Sequence, residues 1–250
     1  MAGGIWRIYL QPVSGRTGVQ IYTKSGITSR KKIVFYGDDT WLRLFPESTF
    51  TRHETIASFF VQDTVTVDTN VTRRADEELL NMNEWDVMIL HYLGIDHIGH
   101  LQGPSGPLMG PKQKELDYVI SRIYDSLEKE NKASGSRSLL VVLGDHGMGK
   151  TGNHGGGSAD ETSTALLLAP IPAPASAISS GIEARKANQV DICPTIALLF
   201  GLPIPKDSVG CILPEMFKEQ AKDDNQYLKF LETNALQIRG VIEANAGGLG

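Results

Sequence analysis

Five of the six histidines of this chain fall in three short clusters. They read Gly94-Ile95-Asp96-His97-Ile98-Gly99-His100 (with His91 just upstream), Gly144-Asp145-His146-Gly147-Met148 and Gly152-Asn153-His154-Gly155-Gly156. Asp96 and His100 are four apart, so on a turn of helix they share a face. A carboxylate oxygen and an imidazole nitrogen together suit zinc. His154 supplies a third ligand and leaves a coordination position for substrate. Asp145 and His146 are adjacent, and on a sharp turn both can ligate or bridge to a second ion. Two cations about 4 Å apart stabilise the attacking and leaving oxygens of an in-line displacement at phosphorus. Taken singly, each histidine reads more simply as a hydrogen-bonded structural residue. The three clusters together point to metal-assisted phosphoryl chemistry. His91, inside a strand, and His97, off the Asp96/His100 face, are expected to pack or support, and His53 to lie at the surface.

One competing motif is set aside on physical grounds. Gly144 to Thr151 satisfies the phosphate-binding loop pattern and follows a strand. Such a loop must open a helix, whose first amides hold the phosphate. Here Thr151 precedes Gly152 and the glycines at 155–157, and each glycine costs a helix about 1 kcal/mol relative to alanine.

The elements that would position these residues show in the hydrophobic pattern. Lys32–Tyr36, Trp85–Tyr92, Ser138–Leu143 and Ala165–Leu168 read as strands, the second running into the Asp96 cluster and the third into Asp145. Phe59-Phe60-Val61 reads as a short strand. Asn70–Asn81 reads as a helix with Val71, Ala75, Leu79 and Leu80 on one side. Lys112–Glu130 is the clearest helix, with Leu116, Val119, Ile120, Ile123 and Leu127 as its stripe. Pro111 suits its first turn. Asp191–Phe200 reads as a helix capped by Asp191 and ended at Gly201, and 226–245 as another. Residues 1–30 show no clear element, and 170–181 read as an exposed Pro/Ala/Ser loop. Apolar strands alternating with amphipathic helices predict an α/β fold, a mostly parallel sheet with helices on both faces. In such folds ligands bind beyond the carboxyl ends of the strands, where the Asp96 and Asp145 clusters fall.

The 250 residues are 41% hydrophobic, enough for a sizeable core. Residues 1–37 hold six Lys/Arg and no Asp or Glu, so the other 213 carry 18 basic and 29 acidic side chains. Such a body has no general attraction for nucleic acid. No run approaches the roughly 18–20 apolar residues that span a bilayer, and Ile5–Leu10, interrupted by Arg7, is no signal peptide. Asn70-Val71-Thr72 matches an N-glycosylation acceptor, a tripeptide common by chance. Cys193 and Cys211 leave pairing open.

The Asp-x-x-x-His turn, the Gly-Asp-His-Gly-Met turn and the later Asn-His-Gly-Gly resemble the alkaline phosphatase superfamily. Longer stretches are similar to the GPI ethanolamine phosphate transferases: Tyr36–Trp41 with Leu44–Pro46, Trp85–Val87 with His91–His100, Gly103-Pro104, Gln189–Asp191 with Pro194-Thr195, and Gly201–Gly210. The resemblance covers about residues 31–235. It implies an alkaline-phosphatase-like sheet lacking its first strand here. It also implies an atypical segment over 1–30, a partial metal-binding domain over 31–215 and a helical tail over 216–250. By motif, Asp96, His100 and His154 match one zinc site of the family, and Asp145 and His146 match the other. The implied activity moves phosphoethanolamine from phosphatidylethanolamine to a mannose of a lipid-linked GPI precursor, on the lumenal side of the endoplasmic reticulum membrane, beside a membrane partner subunit. The family's opening aspartate ligand and threonine nucleophile have no counterpart in residues 1–37, and no catalytic nucleophile is assigned. The expectation is therefore a shortened transferase with impaired turnover. The alternatives are a soluble metal-dependent phosphatase or phosphodiesterase, and a non-catalytic zinc-binding fragment.

Overall fold

The computed structural model describes residues 20–23, 26–57, 60–173, 185–218 and 220–246. The described parts of Lys32–Ala175 form one compact unit, and those of Tyr9–Lys31 and Ser176–Gly250 form another.

In the second unit, β1 (Gln20–Thr23) pairs antiparallel with β2 (Gly26–Arg30). Residues 1–30 were expected to hold no clear element. Neither run is long enough to show a period, and it is the pairing of one with the other, Gln20 opposite Arg30, that makes them strands. Residues 1–19 lie outside the described residues. Helices Ile192–Leu199 and Asp224–Ala246 follow the periodic patterns closely. Asp191 does precede the first of them, but its carboxylate accepts from the Asn188 and Cys211 amides at 2.9 and 2.8 Å and from no amide of that helix. Cys193 and Cys211 are both free thiols.

The first unit is α/β. Its centre is β3 (Ile33–Asp38), buried at all six positions, as expected of a parallel strand covered on both faces. The short helix α1 (Thr40–Leu44) follows, then β4 (Arg52–Ile56), α2 (Thr66–Leu79), β5 (Val87–Leu90), α3 (Gly94–Gln102) and α4 (Met109–Ser134). β4 and β5 flank β3, both parallel to it, with Tyr36 opposite Glu54 on one side and Leu90 on the other. β6 (Ser138–Leu143), the short α5 (Ala159–Thr162) and β7 (Leu166–Ile171) complete the unit, and β6 pairs antiparallel with β7. One core joins them: Val34 and Tyr36 of β3, Val71 and Ala75 of α2, Ile95 and Ile98 of α3, Leu116, Val119 and Ile123 of α4, Leu140 of β6, and Met148.

Several expected details move. β4 replaces the expected strand at 59–61: Phe59 lies outside the described residues, and Phe60 and Val61 enter a turn. Leu80, expected on the buried side of α2, is 85% exposed, because the helix stops at Leu79 and the chain turns. Residues 170 and 171 belong to β7 rather than a loop, and the rest of that predicted loop, from 174 on, lies outside the described residues.

Candidate metal centre

The five predicted residues all belong to the first unit, and the chain between them explains why they meet. Ile95 and Ile98 anchor α3 in the core at 2% exposure each. That orientation leaves Asp96 and His100, one turn apart, on the adjoining face. Asp96 sits in the first turn of α3 and His100 in the last, the ends at which a helix favours an anion and an imidazolium. β6 runs to Leu143 and delivers Asp145 and His146 on a turn that buried Met148 pins to the same core. The loop then returns past the end of α3. Gly152 has φ +83, and a Cβ there would collide with the Gly99 carbonyl of α3. Only glycine lets the two backbones approach this closely, and the approach sets His154 beside Asp96 and His100.

The distances are short. His100 Nε2 lies 3.1 Å from His154 Nε2 and 3.3 Å from Asp96 Oδ2, and His154 Nε2 lies 3.6 Å from Asp96 Oδ1. The edge between two ligands of a tetrahedral zinc with ordinary bond lengths is about 3.3 Å. The rings of His146 and His154 stack at 3.8 Å, 21° apart. One donor atom each from Asp96, His146 and His154 falls within 4.8 Å of the others. His100 touches the same pair, Asp96 through Oδ2 and His154 through its Nε2. His146 stands with the Asp96 group as well as with Asp145, whose Oδ1 is 3.7 Å from His146 Nε2. The expected partition places His146 with Asp145 alone.

The donor set fits a divalent cation. Asp96 Oδ1 is buried and accepts no hydrogen bond, a costly state for a carboxylate oxygen unless a positive charge faces it. His146 Nδ1 is 2.8 Å from the Gly147 carbonyl. A carbonyl only accepts, so Nδ1 carries the proton and Nε2 presents its lone pair, the arrangement usual for a ligating histidine. Burial, then the neighbouring His146, pushes the His154 imidazole below its ordinary pKa, which keeps it neutral and able to ligate. The side chains of His100, His146 and His154 are 29%, 26% and 31% exposed, against 13% and 11% for Asp96 and Asp145. The carboxylates are the more buried groups and the imidazoles reach solvent.

The remaining histidines lie elsewhere. His91 is buried, its amide donating to the Tyr36 carbonyl at 2.9 Å and its ring tilted against Trp41. His97 is buried with Nδ1 2.7 Å from the Asp63 carbonyl. His53 lies between Phe50 and Glu47. The Gly144–Thr151 segment opens no helix, since Gly152 turns at positive φ and the next helix is the four-residue α5. Sequence reasoning missed Glu161. Its carboxylate accepts from the Gly156 and Ser158 amides at 3.0 and 3.3 Å and braces the loop that bears His154. A Ser-x-x-Glu spacing at Ser158 was the available signal.

A family model described as type I phosphodiesterase / nucleotide pyrophosphatase matches residues 16–185. The chain is 42% identical over 223 residues to the catalytic subunit of GPI ethanolamine phosphate transferase 2 from Homo sapiens, covering 86% of this chain and 21% of the relative. It is 49% identical over 194 residues to GPI ethanolamine phosphate transferase 2 from Schizosaccharomyces pombe, covering 73% and 26%. It is 48% identical over 199 residues to the Eremothecium gossypii protein of that name, covering 74% and 24%. The chain thus spans about a quarter of the length of the curated relatives it matches. No solved structure matches it.

Proposed function

Because this chain belongs to the type I phosphodiesterase / nucleotide pyrophosphatase family, we propose that it carries the metal-binding site of a phosphoethanolamine transferase of GPI-anchor synthesis. The observation that carries this reading is the convergence of His100 and His154 on the Asp96 carboxylate, their Nε2 atoms 3.1 Å apart, His100 3.3 Å from Oδ2 and His154 3.6 Å from Oδ1, spacings of the order of a zinc ligand edge. The names of the relatives supply the transferred group and the acceptor class. The donor is phosphatidylethanolamine and the acceptor a mannose hydroxyl of a lipid-linked GPI precursor, at the lumenal face of the endoplasmic reticulum membrane beside a membrane partner subunit. Among the described residues, no helix is long and apolar enough to cross a membrane.

Two zinc ions are proposed, one held by Asp96, His100 and His154 and the other by Asp145 and His146. When bound, they supply positive charge to the phosphoryl oxygens during in-line displacement. The chain's own part is to hold and orient. α3 fixes Asp96 and His100 one turn apart. The Gly147 carbonyl holds the His146 ring with Nε2 outward. The two carboxylates bring negative charge that a dication needs and a phosphodiester alone would avoid.

The test is a purified chain incubated with zinc, labelled phosphatidylethanolamine and a mannose-bearing GPI precursor. Zinc binding and slow label transfer, both lost in His100→Ala, support the reading. Hydrolysis of an aryl phosphodiester without transfer favours a metal-dependent phosphodiesterase, and tight zinc with neither turnover favours a binding role. Failure to bind zinc overturns all three.

A further inference from the structure

Helix α3 has no cap of its own. Its N-cap residue is Leu93, which carries no acceptor, and the first amides of any helix need one. The acceptor comes from another helix. Asp68 of α2, fully buried, takes the Leu93 and Gly94 amides on Oδ1 at 3.0 and 2.9 Å. Its Oδ2 faces Lys112 Nζ of α4 at 3.1 Å, and that lysine side chain is only 4% exposed. Gly94 is required by the fit, since a Cβ there would run into Asp68 and lie 2.8 Å from the Thr64 carbonyl. A second tie joins the same helix to the chain before α2. His97 Nδ1 meets the Asp63 carbonyl, and the Asp63 carboxylate in turn takes the Val65 and Thr66 amides that open α2.

We propose that the buried Asp68–Lys112 pair is a positioning device for the metal ligands of α3. It fixes the height and rotation at which Asp96 and His100 meet His154. This rests on the metal reading of those three residues. Asp96 is the third residue of a helix whose N-cap and first-residue amides end on one carboxylate oxygen, so a shift at Asp68 passes through less than one turn to the first ligand. A buried ion pair contributes little net stability over an apolar pair of the same size. What Asp68 supplies that an apolar side chain cannot is a directed acceptor, reinforced by an anion at the positive end of the helix. Burial raises the carboxyl of Asp68 above the ordinary range despite Lys112, so its charge depends on the lysine and the two amides together. Asp68 and Lys112 act through α3, and neither is assigned a contact with substrate.

Two neutral double variants of the full chain separate acceptor from charge. Asp68→Asn with Lys112→Met keeps a carbonyl oxygen for the two amides. Asp68→Leu with Lys112→Met removes it, and Asp68→Ala with Lys112→Met replaces that variant if leucine prevents folding. Hydrogen exchange is followed at amides 93–97 in the metal-free chain, and cobalt(II) affinity and visible absorption in the loaded one. In the leucine variant, exchange speeds by about 10-fold, cobalt affinity falls by about 10–100-fold and the absorption band changes. The asparagine variant stays near the unsubstituted chain in all three. Unchanged exchange in both variants, or equal acceleration in both, overturns the proposal. If the unsubstituted chain shows no cobalt band, the metal reading fails instead, and the exchange comparison alone decides the role of Asp68.

Discussion

The Nε2 atoms of His100 and His154 lie 3.1 Å apart, although 54 positions of sequence separate them. Two imidazole nitrogens so placed share one proton or one cation. With Asp96 within 3.6 Å of both and one of its oxygens buried without a hydrogen-bond donor, the cation accounts for more of the arrangement. His100→Ala and His154→Ala should each weaken zinc by more than about 100-fold, since even outer residues of such sites cost 10–100-fold. Both side chains are near the surface, so the melting temperature of the metal-free protein should barely move. Competition with a chromophoric chelator, alongside calorimetry, measures the two effects.

Gly152 makes a second prediction through backbone alone. Its φ of +83 and its approach to the Gly99 carbonyl leave no place for a Cβ. Gly152→Ala should cost about 1–3 kcal/mol and lower zinc affinity as well, because relief of the clash moves the loop bearing His154 off α3. A variant that binds zinc unchanged would show that His154 is held by something other than this contact.

Glu161 gives a third. Its bonds to the Gly156 and Ser158 amides stiffen the segment just after His154, and the serine and those amides hold its carboxyl below the ordinary range. Glu161→Ala should lower zinc affinity by about 10-fold, the weaker end of outer-residue effects, with Glu161→Gln recovering part of the loss. Titration of all three proteins with zinc at neutral pH checks the order.

The sequence and the structure agree where a pattern is local. The i, i+4 spacing of Asp96 and His100 needs only a helix, and the apolar stripe of α4 needs only its own period. Leu116, Val119 and Ile123 are accordingly in the core. β4 was not legible, because Arg-His-Glu-Thr-Ile is half-buried at every position and carries no alternation. Its place is set by pairing with β3, which is a tertiary fact. Asp68 lies just before the helix read at Asn70–Asn81, Lys112 opens the one read at Lys112–Glu130, and no spacing marks the two as partners. Only the packing of α2, α3 and α4 shows that they are buried against each other. His146 beside His154 was likewise hidden, since ring stacking between a turn and a loop leaves no spacing to count.

The last prediction concerns pH and a network away from the metal site. Glu78 of α2 is 4% exposed. It accepts from the Tyr36 hydroxyl at 2.6 Å and from Arg52 Nε at 2.8 Å. The Arg52 guanidinium, opposed by burial, holds the Glu78 carboxyl below its ordinary value of 4.5. A carboxyl with a lower pKa folded than unfolded stabilises the fold when ionised in both states. That contribution is complete above the unfolded value and drains away as pH falls through the folded one. The chain should therefore lose stability from this source only below about pH 4.5. Glu78→Gln should flatten that part of the curve and cost about 1–3 kcal/mol at neutral pH, since Arg52 is partly exposed and water screens its share. Tyr36→Phe removes one donor and should steepen nothing, because the arginine remains. Urea unfolding of the three proteins between pH 3 and pH 7 measures both slopes. An acid limb in Glu78→Gln as steep as in the unsubstituted chain would assign it to other carboxylates.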